Sequence, residues 1–316
     1  MSADPSQFEE PILRIRRRIE ELSAMDSEPA REAEIAELQQ KLSRVSREIY
    51  SNLSPWQKTL VARHPQRPYS LDFIGALIEE WLEIHGDRKF GDDAAIVAGF
   101  GRFRGIACCV VGHQKGRNTK EKVMRNFGQP RPEGFRKALR VMKLAEKFKL
   151  PILSFVDTQG AYPGVGAEER GQAEAIAVNL REMAALQVPV IITVIGEGGS
   201  GGALALGVGD RVIMLEHAVY SVISPEGCAA ILWKGSAAAP DAASAMKITA
   251  QDLKKLGVID EIVPEPEGGA HADAAATAET LEPVLERLLK ELQKLKPAQL
   301  TEERYKKFRK MGVFER

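Results

Sequence analysis

An α/β fold, a sheet of short strands covered by helices, follows from three features of this 316-residue sequence. Short, continuously apolar runs alternate with helical stretches, the pattern of strands buried on both faces. Glycine and alanine become frequent across the middle of the chain, where those runs lie. The recurring order is strand, strand, helix rather than strict strand–helix alternation. That order points to a coil of short strand pairs more than to a doubly wound sheet.

Three zones are expected. Residues 1–66 form a helical arm: Ile12, Ile15, Ile19 and Leu22, then Ile35, Leu38, Leu42, Val45 and Ile49, repeat at three- and four-residue steps. A break at Ser27, Glu28 and Pro29 separates two helices, which predicts an antiparallel hairpin. Its narrow apolar stripe suits either its own domain or a partner. Residues 67–265 carry the sheet, with strands predicted at 94–100, 106–112, 151–156, 188–195, 211–215 and 219–222. Helices are predicted at 132–149 and 166–186, with a short one to residue 206 and another over 224–233. Residues 266–316 open on Pro266 and two glycines and end in a charged helix striped with Leu281, Val284, Leu285, Leu288, Leu289 and Leu292.

Composition narrows the function. Lys+Arg and Asp+Glu both number 44, so the chain lacks the basic excess of a nucleic-acid binder. Cys108, Cys109 and Cys228 make neither a disulfide framework nor a four-thiolate zinc site and read as reduced, structural cysteines. No apolar segment is long enough to span a bilayer, and the first residues carry no secretory pattern, so a cytoplasmic location is expected.

Two glycine-rich loops, 157–166 and 196–205, each follow an apolar strand and precede a helix. Glycine lets a backbone N–H approach a ligand, and the first turn of a helix leaves several N–H groups unpaired. Together they hold an anion or stabilise an oxyanion. Gly196-x-Gly198-x-x-Gly201, with Glu216 twenty residues on, also fits a dinucleotide fingerprint, but the helix after it is short. A basic stretch from His113 to Arg125 suggests a cradle for a phosphate or carboxylate. Ser200 lies among glycines, but the run 197–202 is not taken as a Gly-x-Ser-x-Gly nucleophile elbow. No histidine stands in a metal-ligand spacing.

Several longer stretches carry a resemblance. They are Arg63-His64-Pro65-Gln66-Arg67-Pro68-Tyr69, Gly112 to Arg117, Lys120-Glu121-Lys122, Gly160 to Gly171, Gly196 to Ala205, and Tyr220 to Trp233. Together they resemble the carboxyltransferase alpha subunits of bacterial and plastid acetyl-CoA carboxylase, over nearly the whole chain. The resemblance implies a crotonase-like (ClpP/crotonase) superhelix of strand–strand–helix turns, with an N-terminal helical hairpin and a C-terminal helix. It implies transfer of carboxylate from carboxybiotin, held on a biotin carboxyl carrier protein, to acetyl-CoA, giving malonyl-CoA for fatty-acid synthesis. A beta subunit carrying zinc would complete an α2β2 assembly, with biotin carboxylase as a further partner.

The same resemblance assigns roles. Gly201 and Gly202 would supply the biotin-side oxyanion hole, and Gly198 and Gly199 would shape the turn. Tyr162, Gly164 and Gly166 would line the facing wall. Lys115 and Arg117 would hold a carboxylate or part of CoA. Gln159 departs from the family's usual proline and restores an N–H to that loop. Two other readings are a standalone crotonase-type hydratase or decarboxylase using Glu197 or Glu226, and a non-catalytic scaffold.

Overall fold

The computed structural model describes residues 8–25 and 28–312. Its strands are β1 (Glu79–Glu83), β2 (Ile96–Phe103), β3 (Ile106–His113), β4 (Ile152–Thr158), β5 (Val190–Gly199), β6 (Arg211–Leu215), β7 (Val219–Ser221) and β8 (Glu261–Val263). They form one sheet in the order β1-β2-β3-β4-β5-β6-β8, with β7 paired to β5. The spatial order follows the chain without reversal, so there is no switch point of the doubly wound kind. The β1–β2 and β2–β3 pairs are antiparallel, and the pairs from β3 onward are parallel.

The β2–β3 hairpin turns at Arg104 and Gly105, both in the left-handed region. β4 and β5 are buried along their whole length, because helices cover both faces. Pro132–Lys147 buries Ala138, Val141, Met142 and Ala145 against the sheet and Phe135 against Ala175 and Ala205, and Gln172–Ala185 packs beside it. The single helix expected over 166–186 is two, Val165–Glu169 and Gln172–Ala185, because Gly171 at φ 81 breaks the ladder. β1 and β8, absent from the sequence reading, occupy the sheet edges. No helix among the described residues is long and apolar enough to cross a membrane.

The N-terminal arm is a hairpin of Glu10–Ser23 and Pro29–Ser51. Of the expected break, Ser27 lies outside the described residues. Ile12, Tyr50, Leu53 and Val61 form a small core of their own, joined by Phe8, Leu42, Val45 and Ile49. Pro55–Ala62 then packs on β5 and β7. The C-terminal segment is two helices, Ala274–Leu292 and Pro297–Lys310. Leu281, Leu285, Leu288, Leu289 and Leu292 belong to the main core, so this segment is part of the domain and not a loose tail.

Two buried ion pairs lock these segments. Arg67 donates Nε to Ile195 O (2.7 Å) and grips Glu265 with both terminal nitrogens (2.9 and 2.6 Å). Burial pushes the Glu265 carboxyl up, but Arg67 more than reverses this and holds it at about 2. Arg304, fully buried, donates to Asp210 (3.0 and 2.8 Å) and to the carbonyls of Met183, Leu186 and Val188. Replacing Arg304 by alanine strands the Asp210 charge, so we expect a loss of about 3–5 kcal/mol in urea unfolding. A loss under 1 kcal/mol would show that the pair does not hold the last helix.

Candidate active site

Three side chains prepare the site from beneath. Asp157, near the end of β4, accepts a hydrogen bond from the Glu197 amide on β5 (2.9 Å) and from Lys115 Nζ (2.6 Å). His113, fully buried at the end of β3, takes the Asp157 N–H at Nδ1 (3.4 Å) and faces Gly202 O with Nε2 (3.2 Å). That partner set fixes a neutral ring with its proton on Nε2. Burial lowers the His113 pKa to about 4, against the opposing charge of Asp157. Strands β3, β4 and β5 are thereby tied together where the glycine segments begin.

The second glycine segment is not the loop the sequence suggested. Residues 196–199 continue β5, and the helix Ser200–Leu204 starts directly after it. Glycine is needed there for close packing. A Cβ on Gly196 would lie 2.4 Å from Asp157 Oδ1, and one on Gly198 would lie 2.8 Å from the Tyr220 ring. A Cβ on Gly199 would lie 2.2 Å from Gln159 O, and one on Gly202 would lie 2.5 Å from Gly160 C. The two glycine segments therefore touch backbone to backbone. Because Gly196 and Gly198 lie within a strand and the helix has five residues, the dinucleotide fingerprint is not realised.

A cleft of about 670 Å³ opens above this contact. Gln159, Gly160, Ala161, Tyr162 and Pro163 form one wall, Ser200 and Gly201 the head, and Val222, Ile223 and Ser224 the other side. Tyr162 is fixed by its N–H to Pro130 O (2.9 Å), by Gln172 on its carbonyl (2.9 Å) and by Arg131 over its ring. Gly201 has room, since its Cβ would meet Ile176 Cδ1 at 3.4 Å. The amides of Gly201 and Gly202 stand in the first helical turn, beyond the reach of the i→i−4 ladder.

Other expected residues sit elsewhere. Gly198, Gly199 and Gly202 lie behind the wall and shape it. Gly164 packs under the Tyr162 ring, 2.3 Å from where its Cβ would be, and Gly166 faces Arg170; neither lines the cleft. Lys115 and Arg117 also stay off the wall. Lys115 is matched by Asp157. Arg117 pairs with Asp72, donates to the Pro65 and Arg67 carbonyls and stacks over Tyr69. Lys115 is largely buried and Arg117 is exposed, and both are paired within the chain rather than placed on the cleft wall.

The sequence reading missed Arg63. It lines the cleft and joins two carboxylates, Glu197 (2.7 and 2.9 Å) and Glu226 (2.5 Å). Burial raises the Glu226 pKa, but the Arg63 hydrogen bond and charge bring it below the ordinary value. Ser200 also needs correction. Gly198-x-Ser200-x-Gly202 does match the elbow pattern, and the serine takes its shape, with φ 49 between strand and helix. No base is hydrogen-bonded to it among the described residues: His113 is directed at Gly202 O, and Ser200 Oγ has no partner.

Known proteins place the chain. A family profile described as "Acetyl co-enzyme A carboxylase carboxyltransferase-like" matches residues 5–312. The chain belongs to the acetyl-CoA carboxylase carboxyltransferase family. Curated relatives named acetyl-coenzyme A carboxylase carboxyl transferase subunit alpha agree. The one from Syntrophotalea carbinolica is 58% identical over 308 residues, covering 97% of each chain. The one from Geobacter sulfurreducens is 62% identical over 274 residues, 87% of this chain and 86% of that one. Among solved structures, transcarboxylase 12S gives a TM-score of 0.57 at 22% identity, over 72% of this chain and 44% of that one. A Pseudomonas malonate decarboxylase hetero-dimer gives 0.54 at 18% identity, over 64% of this chain and 83% of that one. These likenesses establish the shared carboxyltransferase, crotonase-like fold.

Two outcomes are expected of the glycine contact and of the histidine beneath it. Gly202→Ala and Gly199→Ala should lose several degrees of thermal midpoint, since backbone must move, whereas Gly201→Ala should melt close to wild type. Equal melting of all three would remove the close contact as a source of stability. For pH, neutral His113 binds its proton only near 4 when folded but near 6.5 when unfolded, so the unfolded chain gains protons first on acidification. Stability should fall from pH 6.5 to 4, by on the order of 3 kcal/mol from this ring. His64, also lowered to about 4, adds to the slope. Urea melts of His113→Gln across that range should show a shallower slope; an unchanged slope would clear His113 of the effect.

Proposed function

We propose that this chain is the alpha subunit of an acetyl-CoA carboxylase carboxyltransferase, acting on carboxybiotin borne by a carrier protein and on acetyl-CoA to form malonyl-CoA. Family membership supports the reaction class. One structural observation carries the site: backbone meets backbone at Gly199 and Gly202 against residues 159–160, at the head of an open cleft. Only main-chain donors and a hydroxyl stand at that head, which suits charge stabilisation more than covalent attack.

The cleft fits the biotin group in chemistry as well as in size. Its head offers N–H donors, and its sides offer Ala161, Ile176 and Val222 to a non-polar ring system. Bound there, carboxybiotin would supply the carboxyl group. The chain's own work is to hold negative charge on the amide of Gly201, with Gly198, Gly199 and Gly202 shaping the approach from behind the wall. Tyr162 orients from the facing wall, with Gly164 and Gly166 supporting it. Arg63 keeps Glu197 and Glu226 paired and away from proton transfer.

A second subunit completes the site in this reading. Val222, Ile231, Leu232 and Trp233 stand exposed beside the cleft, a patch suited to another protein surface. We assign it to the beta subunit, which also carries the zinc, within an α2β2 assembly in the cytoplasm served by the carrier protein and biotin carboxylase. The standalone hydratase reading is disfavoured, because both of its carboxylates are held by Arg63.

The test runs the reaction in reverse. Malonyl-CoA and biocytin should yield acetyl-CoA when the alpha and beta chains are mixed, and nothing with either alone. An inactive mixture would overturn the proposal, and acyl-CoA turnover by the alpha chain alone would favour the hydratase.

A further inference from the structure

We infer that the Ser200 hydroxyl is a further donor to the anionic oxygen handled in this cleft, aimed there by a strained backbone. The inference deepens the carboxyltransferase reading and rests on it. Among the described non-glycine residues with positive φ, Ser200 is the one on the cleft wall. At φ 49 its Cβ crowds the following carbonyl, a conformation glycine adopts freely. Glycines stand at 198, 199, 201 and 202. Gly199 and Gly202 are where a side chain would strike backbone, and Gly201 is where one would fit. The side chain is instead carried by the one residue of the run whose backbone favours glycine. A strained residue persists where its surroundings over-determine it, and such residues cluster at working sites.

The hydroxyl is also free for a ligand. Ser200 is half-buried, and among the described residues no group hydrogen-bonds its Oγ. It stands where the cleft adjoins a second, apolar cavity of about 300 Å³ walled by Leu204, Val212, Leu253 and Phe308. One side of the hydroxyl therefore faces mostly apolar groups, which compete little for its hydrogen bond. With His113 directed at Gly202 O and Glu197 paired to Arg63, neither is placed to take its proton, and no described residue hydrogen-bonds the hydroxyl. A serine without a base keeps its O–H and donates. In the same turn as the Gly201 amide, it adds a second donor converging on an oxyanion or carboxylate of a carboxylated urea.

Glycine at this position separates backbone from hydroxyl. In the alpha–beta complex, Ser200→Gly should lower kcat on the order of 100-fold with KM little changed. The same variant, as the alpha chain alone, should melt at a higher temperature than wild type, because the strain is gone. Ser200→Ala should lose as much kcat with no gain in melting temperature. Wild-type turnover in Ser200→Gly would overturn the inference while leaving the carboxyltransferase reading intact. A wild-type complex that transfers no carboxyl group would instead sink that reading, and this inference with it.

Discussion

Two stretches of main chain meet where β4 and β5 end, and no side chain separates them. Adjacent parallel strands already run about 5 Å apart. Beyond their ends two such chains normally diverge, because side chains need room. Here Gly199 and Gly202 let the second segment lie directly on Gln159 and Gly160. Asp157 and His113 then fix the spacing from below. The short helix starts where it does because of that contact, and the cleft opens above it. Loosen the contact by one methyl group and the first-turn amides change direction.

The strands with strong apolar character were legible in the sequence. The β2–β3 hairpin, β4, β5 and β6 all lie where apolar runs predict them, within a few residues at their ends. β1 was not legible, because its residues, Glu-Glu-Trp-Leu-Glu, are mostly charged and lie at the sheet edge. β8 has three residues, too few for a periodicity. Residues 196–199, with three glycines, read as a loop because glycine usually marks one. Tertiary crowding by Asp157, Tyr220 and Gln159 reverses that inference, and nothing local reports the crowding.

The site was legible in its glycines and illegible in its charges. Gly201, Tyr162 and the 159–163 wall follow from the loops and the family resemblance. Arg63 lies 134 residues from Glu197 and 163 from Glu226, and no spacing rule joins them. Lys115 and Arg117 looked like ligand holders because they sit in a basic run with a glycine between them. The folded chain supplies Asp157 on β4 as the partner of Lys115, and Asp72 with the carbonyls of Pro65 and Arg67 as those of Arg117. A charge run by itself does not separate these roles; the location of the opposite charges does.

The Arg304–Asp210 pair also bears on how the chain emerges from the ribosome. Asp210 sits between β5 and β6, and its partner is made 94 residues later. Until then a carboxylate faces a groove meant to be dry, along with the carbonyls of Met183, Leu186 and Val188. In the native fold it is the helix carrying Arg304 that closes this seam over them. A nascent chain is thus marked as unfinished, and the late arginine acts as the latch that closes the whole.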